Sequence, residues 1–174
     1  MSLLEWSDAL SLDLPLMDDT HREFVDLVTQ LDQASDAALL PAWQALIDHT
    51  DAHFGQEDRW MAATRFASGN CHAVQHKVVL QTLREAGRLV AEGTEPQTLL
   101  RRLTQELAIW FPQHAQSMDA ALALHLRHVG FDPLTGVVNA PDALPAEMIE
   151  GCGGHACSTA ASEHTETQAH PVSV

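Results

Sequence analysis

Seven residues of the 174-residue chain have types and spacings that suit metal binding: His21, His53, Glu57, His72, His76, His114 and Asp119. His53 and Glu57 are four apart, as are His72 and His76, so on a helix each pair projects two donors from one face, one turn apart. Five imidazoles and two carboxylates exceed what one six-coordinate ion holds, and no matching thiolates suggest a structural zinc site. The count implies two metals. If Glu57 and Asp119 bridge the ions, the five histidines divide three and two. One shared oxygen ligand then gives a six-coordinate and a five-coordinate ion, which leaves a vacant position. Imidazole and carboxylate donors suit a redox-active iron pair, and a vacancy in an apolar pocket suits a small neutral diatomic, dioxygen first.

Four helices must position these groups. Phe24, Leu27, Val28 and Leu31 recur at helical steps and no useful strand alternation appears, so the fold class is all-α. A first helix is predicted from Asp18 or Asp19, as N-cap, to Ser35. A second has Pro41 in its first turn and runs to Arg65, and a turn at Ser68-Gly69-Asn70 follows. The third runs from Cys71 to Ala91. The fourth runs from Pro96 to His128, with Pro112 as a kink and Gly130 as a C-terminal cap. Short connections favour an up-down-up-down antiparallel four-helix bundle. Counting from the predicted turns brings all four sets of donors within about 8 Å along the bundle axis. His114 and Asp119 are the exception to regular spacing, since residues five apart diverge by about 140° on an α-helix. A π-type turn, or the after-effect of the Pro112 kink, is therefore expected between them.

The segments MDDTHREFV, HTDAHFGQEDRWM, CHAVQHKVV and WFPQHAQSMDAAL resemble the hemerythrins, specifically the small single-domain bacterial ones, over residues 6–130. The order His, His-x3-Glu, His-x3-His, His-x4-Asp matches that family's whole ligand set. The resemblance implies a non-haem di-iron centre with a bridging oxo or hydroxo group. His72, His76 and His114 would hold the coordinatively full iron and His21 and His53 the open one, with Glu57 and Asp119 bridging. It implies reversible O2 binding at the open iron, with one electron drawn from each ferrous ion and both returned on release. Phe24, Val28, Phe54, Met61, Val79, Leu80, Trp110 and Met118 lie at helical spacings that suit an apolar shell, though such stripes are most often ordinary core. Met118 beside Asp119 and the acidic Asp18-Asp19-Thr20 before His21 depart from the family's common pattern.

Nine basic residues against 24 acidic ones give a net charge of -15, which disfavours nucleic acid and anionic membranes. No apolar run is long enough to span a bilayer, and acidic residues interrupt the N-terminus, so the expected location is cytoplasmic. Residues 1–138 are expected to form the bundle, with 1–17 as an N-terminal arm, and 139–174 a flexible acidic tail. Cys152, His155 and Cys157 in that tail could bind a soft metal, although three ligands do not make a closed site, or the two thiols could form a reversible disulfide. Cys71 is expected to be a small buried hydrophobe, His49 a surface residue, and His125 and His128 helix-end residues. The residues favour a binding protein, for O2 storage, delivery, scavenging or sensing, over a di-iron oxidase, peroxidase or nitric oxide reductase using the same position. A structural metal site is the third reading. Docking to an oxygen-consuming partner and a monomeric state complete the expectations.

Overall fold

The computed structural model describes residues 3–66 and 71–149. α1 (Pro15–Gln33), α2 (Asp36–Ala63), α3 (Cys71–Ala91) and α4 (Thr98–His114) pack in a ring, α1 on α2 and α4 and α3 on α2 and α4. A π-helical segment, Ala115–Asp119, joins α4 to α5 (Ala120–His128), so the fourth arm of the bundle is one long helix with a wide turn inside it. A two-residue antiparallel ladder follows, β1 (Phe131–Asp132) on β2 (Val137–Val138). This is the expected all-α, up-down-up-down bundle, and no helix among the described residues is long and apolar enough to cross a membrane.

The helix ends refine the expected boundaries. α1 starts at Pro15, whose missing N–H costs nothing in the first turn. Asp18 is therefore not the N-cap. It is buried one turn inside the helix and accepts hydrogen bonds from Leu12 N at 2.8 Å and Ser11 Oγ at 2.7 Å, fastening the N-terminal arm. α2 begins five residues before Pro41, after an extended Ser35, so this proline lies inside the helix. The turn expected at 68–70 lies outside the described residues. At the end of α5, Gly130 takes φ +61°, a left-handed conformation that glycine adopts without steric cost.

Two apolar clusters fill the bundle. One gathers Phe24, Val28, Leu31, Leu39, Trp43, Leu46, Leu83, Leu100 and Leu107; the other gathers Leu12, Leu14, Met17, Trp60, Met61, Phe66, Leu122 and Leu126. The seven candidate ligands are a buried polar set within the same bundle. The expectation that residues from 139 onward form a loose tail needs correcting for the described part. Asn139 and Ala140 donate back to Gly130 and Val129, Leu144 and Ile149 pack on the second cluster, and Ile149 N donates to Arg65 O at 3.0 Å. Leu144 and Ile149 supply the apolar surface that makes this docking favourable. Cys152, His155 and Cys157 lie outside the described residues.

Candidate metal centre

Each helix of the ring contributes. α1 carries His21, α2 His53 and Glu57, and α3 His72 and His76; His114 closes α4 and Asp119 closes the π segment. All seven side chains are buried. The π segment is the expected distortion: Ala120 N reaches back to Ala115 O, an i→i−5 bond that spends an extra residue on the turn. That extra residue brings His114 and Asp119 to the same side of the helix, where His114 Nε2 lies 3.1 Å from Asp119 Oδ1.

The two carboxylates divide their oxygens. Asp119 Oδ2 lies 3.3 Å from His21 Nε2, while Oδ1 lies 2.9 Å from His72 Nε2 and 3.1 Å from His114 Nε2. Glu57 Oε1 lies 3.6 Å from His53 Nε2, while Oε2 lies 3.3 Å from His72 Nε2 and 3.2 Å from His76 Nε2. Each carboxylate thus turns one oxygen to the pair His21 and His53 and the other to the trio His72, His76 and His114. Within each group, one donor atom per residue lies within 4.8 Å of all the others.

These contacts are short but lack hydrogen-bond alignment. Both oxygens of Glu57 and of Asp119, and Nε2 of His21, His72, His76 and His114, are buried without a hydrogen bond. Among the described buried side-chain atoms left unpaired, only Thr50 Oγ1 lies outside the seven residues. An unpaired buried polar group costs about 1–3 kcal/mol. A pair of cations among the inward-facing atoms would satisfy them together, so the donor set fits a two-metal group. Oxygen donors mixed with imidazoles suit divalent first-row metal ions rather than metals that favour thiolates.

Without metal the histidines and carboxylates of the cluster shift one another's protonation. Burial opposes charge on His72, but Asp119 and Glu57 outweigh it and push its pKa up to about 9. His21 and His76 are also raised, against burial, by Asp119 and by Asp58 with Glu57 respectively. Burial and the neighbouring Asp119 work to raise Glu57, yet His53, His72 and His76 hold it down at about 2. Asp119, likewise opposed by burial, is held well below the usual carboxylate range by His114, His21 and His72. His53 goes the other way: burial depresses it to about 4.

Aromatic rings back the ligands. Phe54 stacks face to face on His76 with centroids 3.9 Å apart, Trp110 stacks on His114 at 4.5 Å, and Phe111 meets His21 edge-on at 5.2 Å while stacking on Phe24 at 4.7 Å. Phe24, Val28, Phe54 and Met61 are buried, and Val79, Leu80, Trp110 and Met118 partly so. The sequence reading did not single out Phe111, Asp58 or Gln75. Phe111 sits three residues before His114, one turn back, which is the available signal. Asp58 accepts from His76 Nδ1 at 3.2 Å, and Gln75 Oε1 from His114 Nδ1 at 3.2 Å, although each is merely a chain neighbour of a ligand in sequence.

Among the described residues, His49, His125 and His128 are not members of the cluster. His49 is not a surface residue: its side chain is 14% exposed and Nε2 donates to Thr20 O at 3.2 Å, since its position one turn before His53 turns it towards α1. His125 donates to Thr64 O at 2.9 Å, which ties α5 to the end of α2. Cys71, at the first residue of α3, is half-buried and disulfide-bonded, where a simple buried thiol was expected.

Comparison with known proteins agrees with this geometry. A family model described as the Hemerythrin HHE cation binding domain matches residues 12–124. The chain is 38% identical to a bacteriohemerythrin of Ralstonia nicotianae over 132 residues, covering 76% of this chain and 95% of that protein. It is 24% identical to a bacteriohemerythrin of Pseudomonas aeruginosa over 132 residues (74% of this chain, 84% of the relative). A Stenotrophomonas maltophilia bacteriohemerythrin is 25% identical over 127 residues (71% and 81%).

Proposed function

From the premise that this chain belongs to the hemerythrin family, we propose that it binds dioxygen reversibly at a non-haem di-iron centre. The observation that carries this reading is the split of each carboxylate between two histidine sets, three on one side and two on the other. His72, His76 and His114 would hold one iron, His21 and His53 the other, with Glu57 and Asp119 across both. An ion on the side with fewer histidines would have a coordination position left for an exogenous ligand. When bound, the iron pair supplies the two electrons that reversible O2 binding needs.

The chain's own residues do the rest. Glu57 and Asp119 bring two negative charges to offset the cations in a buried place where unpaired charge is costly. The rings of Phe111, Phe24 and Phe54 keep bulk water from the ligand atoms, which would favour reversible binding over irreversible oxidation. Storage, delivery to an oxygen-consuming partner, scavenging and sensing all use this same cycle, carried out by a binding protein rather than an enzyme.

The test is optical. Iron-loaded, reduced, anaerobic protein should gain a visible charge-transfer absorption when O2 is admitted and lose it when O2 is removed, over repeated cycles. Irreversible oxidation on the first exposure, or turnover of a reductant, would replace the carrier with an oxidoreductase.

A further inference from the structure

Behind the inward-facing Nε2 atoms, the outward-facing Nδ1 atoms are not treated alike. Asp58 Oδ1 accepts from His76 Nδ1 at 3.2 Å. Gln75 Oε1 lies 3.3 Å from Trp110 Nε1 and 3.2 Å from His114 Nδ1. An indole N–H can only donate, so Trp110 fixes Gln75 with its oxygen at this point, and the same oxygen obliges His114 to donate from Nδ1. Both histidines are thereby held with Nδ1 protonated and the Nε2 lone pair free for a metal. His72 and His21 have no such support: their Nδ1 atoms are buried without a hydrogen-bond partner.

The two supports also differ in charge. Gln75 is neutral. Asp58 brings a carboxylate, half-exposed at 49%, to the edge of a cavity of about 260 Å³ between α2 and α3, lined by Asp51, Phe54, Gly55, Lys77 and His76 itself. A carboxylate on the far nitrogen of a metal-bound imidazole draws its proton and raises the basicity of the near nitrogen. This effect falls on one member of the three-histidine set.

We propose that Asp58 and Gln75 are positioning residues of the metal centre, holding His76 and His114 in the metal-binding tautomer, and that Asp58 makes His76 the strongest imidazole donor on the three-histidine side. The consequence is an electronic asymmetry on top of the difference in ligand number. An iron held by His72, His76 and His114 would be the easier of the two to keep ferric. Gln75 orients without adding charge. This inference rests on the di-iron reading for its redox consequence, but its structural content needs only a divalent ion in the site.

The first test therefore uses zinc(II)-loaded protein, which does no O2 chemistry. Long-range 15N–1H correlation spectra should show His76 and His114 protonated on Nδ1. In Asp58→Ala, His76 should lose the downfield position of that proton, and chelator competition should show zinc held about 10–100-fold less tightly. Asp58→Asn, which keeps an acceptor oxygen, should retain the tautomer and recover part of the affinity. The second test uses iron-loaded protein and spectroelectrochemistry. Asp58→Asn should raise the reduction potential and Gln75→Glu, which adds a charge behind His114, should lower it. Opposite signs from two variants with unchanged helical circular dichroism are not a packing effect. Unaltered zinc affinity and His76 signals in Asp58→Ala, or potentials that move together in both charge variants, would overturn the proposal. Failure of O2 cycling with these zinc results intact would instead count against the carrier reading alone.

Discussion

The two histidine sets are backed in different ways. His76 and His114 have flat rings stacked on them, Phe54 at 3.9 Å and Trp110 at 4.5 Å, and hydrogen-bond acceptors behind them in Asp58 and Gln75. His21 meets its aromatic neighbour Phe111 edge-on and has nothing on Nδ1, and His53 is a neutral imidazole depressed by burial to about 4. Two of the three histidines on one side are braced from behind, whereas Nδ1 of His72, like that of His21 on the other side, is buried without a hydrogen-bond partner. On the proposed O2-binding reading, bracing would fix the metal geometry, while the two-histidine side would be the one to admit and release a small ligand.

Breaking the connection between the sides should have the largest effect. Glu57→Ala removes the side chain that faces both sets, so iron content should fall well below two per chain and the melting temperature of the iron-loaded protein should drop sharply. Metal analysis and calorimetry on the purified variant check this, and unchanged values in both would remove Glu57 from the site. Next in size, Phe111→Ala opens a cavity beside His21 and should cost about 3–5 kcal/mol of stability. Denaturant unfolding gives the cost. The iron-loaded variant should also oxidise irreversibly faster, as water reaches the two-histidine side.

A smaller effect should come from the arm. Asp18 lies three residues before His21 and accepts two hydrogen bonds from residues 11 and 12, so Asp18→Ala should cost about 1–3 kcal/mol while leaving iron content intact. If iron were lost as well, the arm would be part of the site rather than its fastening.

The subtlest contrast is in pH. In metal-free protein His72 has its pKa raised to about 9, so its stabilisation is complete below its unfolded value of 6.5 and is lost as pH rises through 9. His53 is depressed to about 4, so the unfolded chain takes up its proton first and stability declines as pH falls from 6.5 towards 4. Glu57, held at about 2, stabilises fully above its ordinary 4.5, and this contribution disappears as pH falls through 2. Melting of chelator-stripped protein should therefore be highest near pH 6.5 and decline on both sides. A melting temperature still rising from pH 7 to 9 would contradict the His72 assignment.

Much of this was readable from spacing. Four-residue steps located the pairs on α2 and α3, and the five-residue step from His114 to Asp119 demanded the wide turn now found at Ala115–Asp119. Helix starts were less legible. Pro15 and Pro41 are both compatible with early helical positions, and only packing decides that one opens α1 while the other lies inside α2. Asp58 and Gln75 adjoin ligands in the chain, so spacing gives no reason to aim them at Nδ1 of His76 and of His114; that depends on how α2, α3 and α4 are rotated against one another. The docking of residues 139–149 rests on Leu144 and Ile149, which pack on the second cluster, whereas Met148 between them in the chain stays half-exposed.

The central claim is that two carboxylates join two histidine sets, each holding its own ion. Diffraction from crystals of iron-loaded protein at the iron absorption edge tests it most directly. Two anomalous peaks per chain are expected, one against His72, His76 and His114 and one against His21 and His53, with Glu57 and Asp119 reaching both. A single peak, or two peaks sharing neither carboxylate, would contradict it.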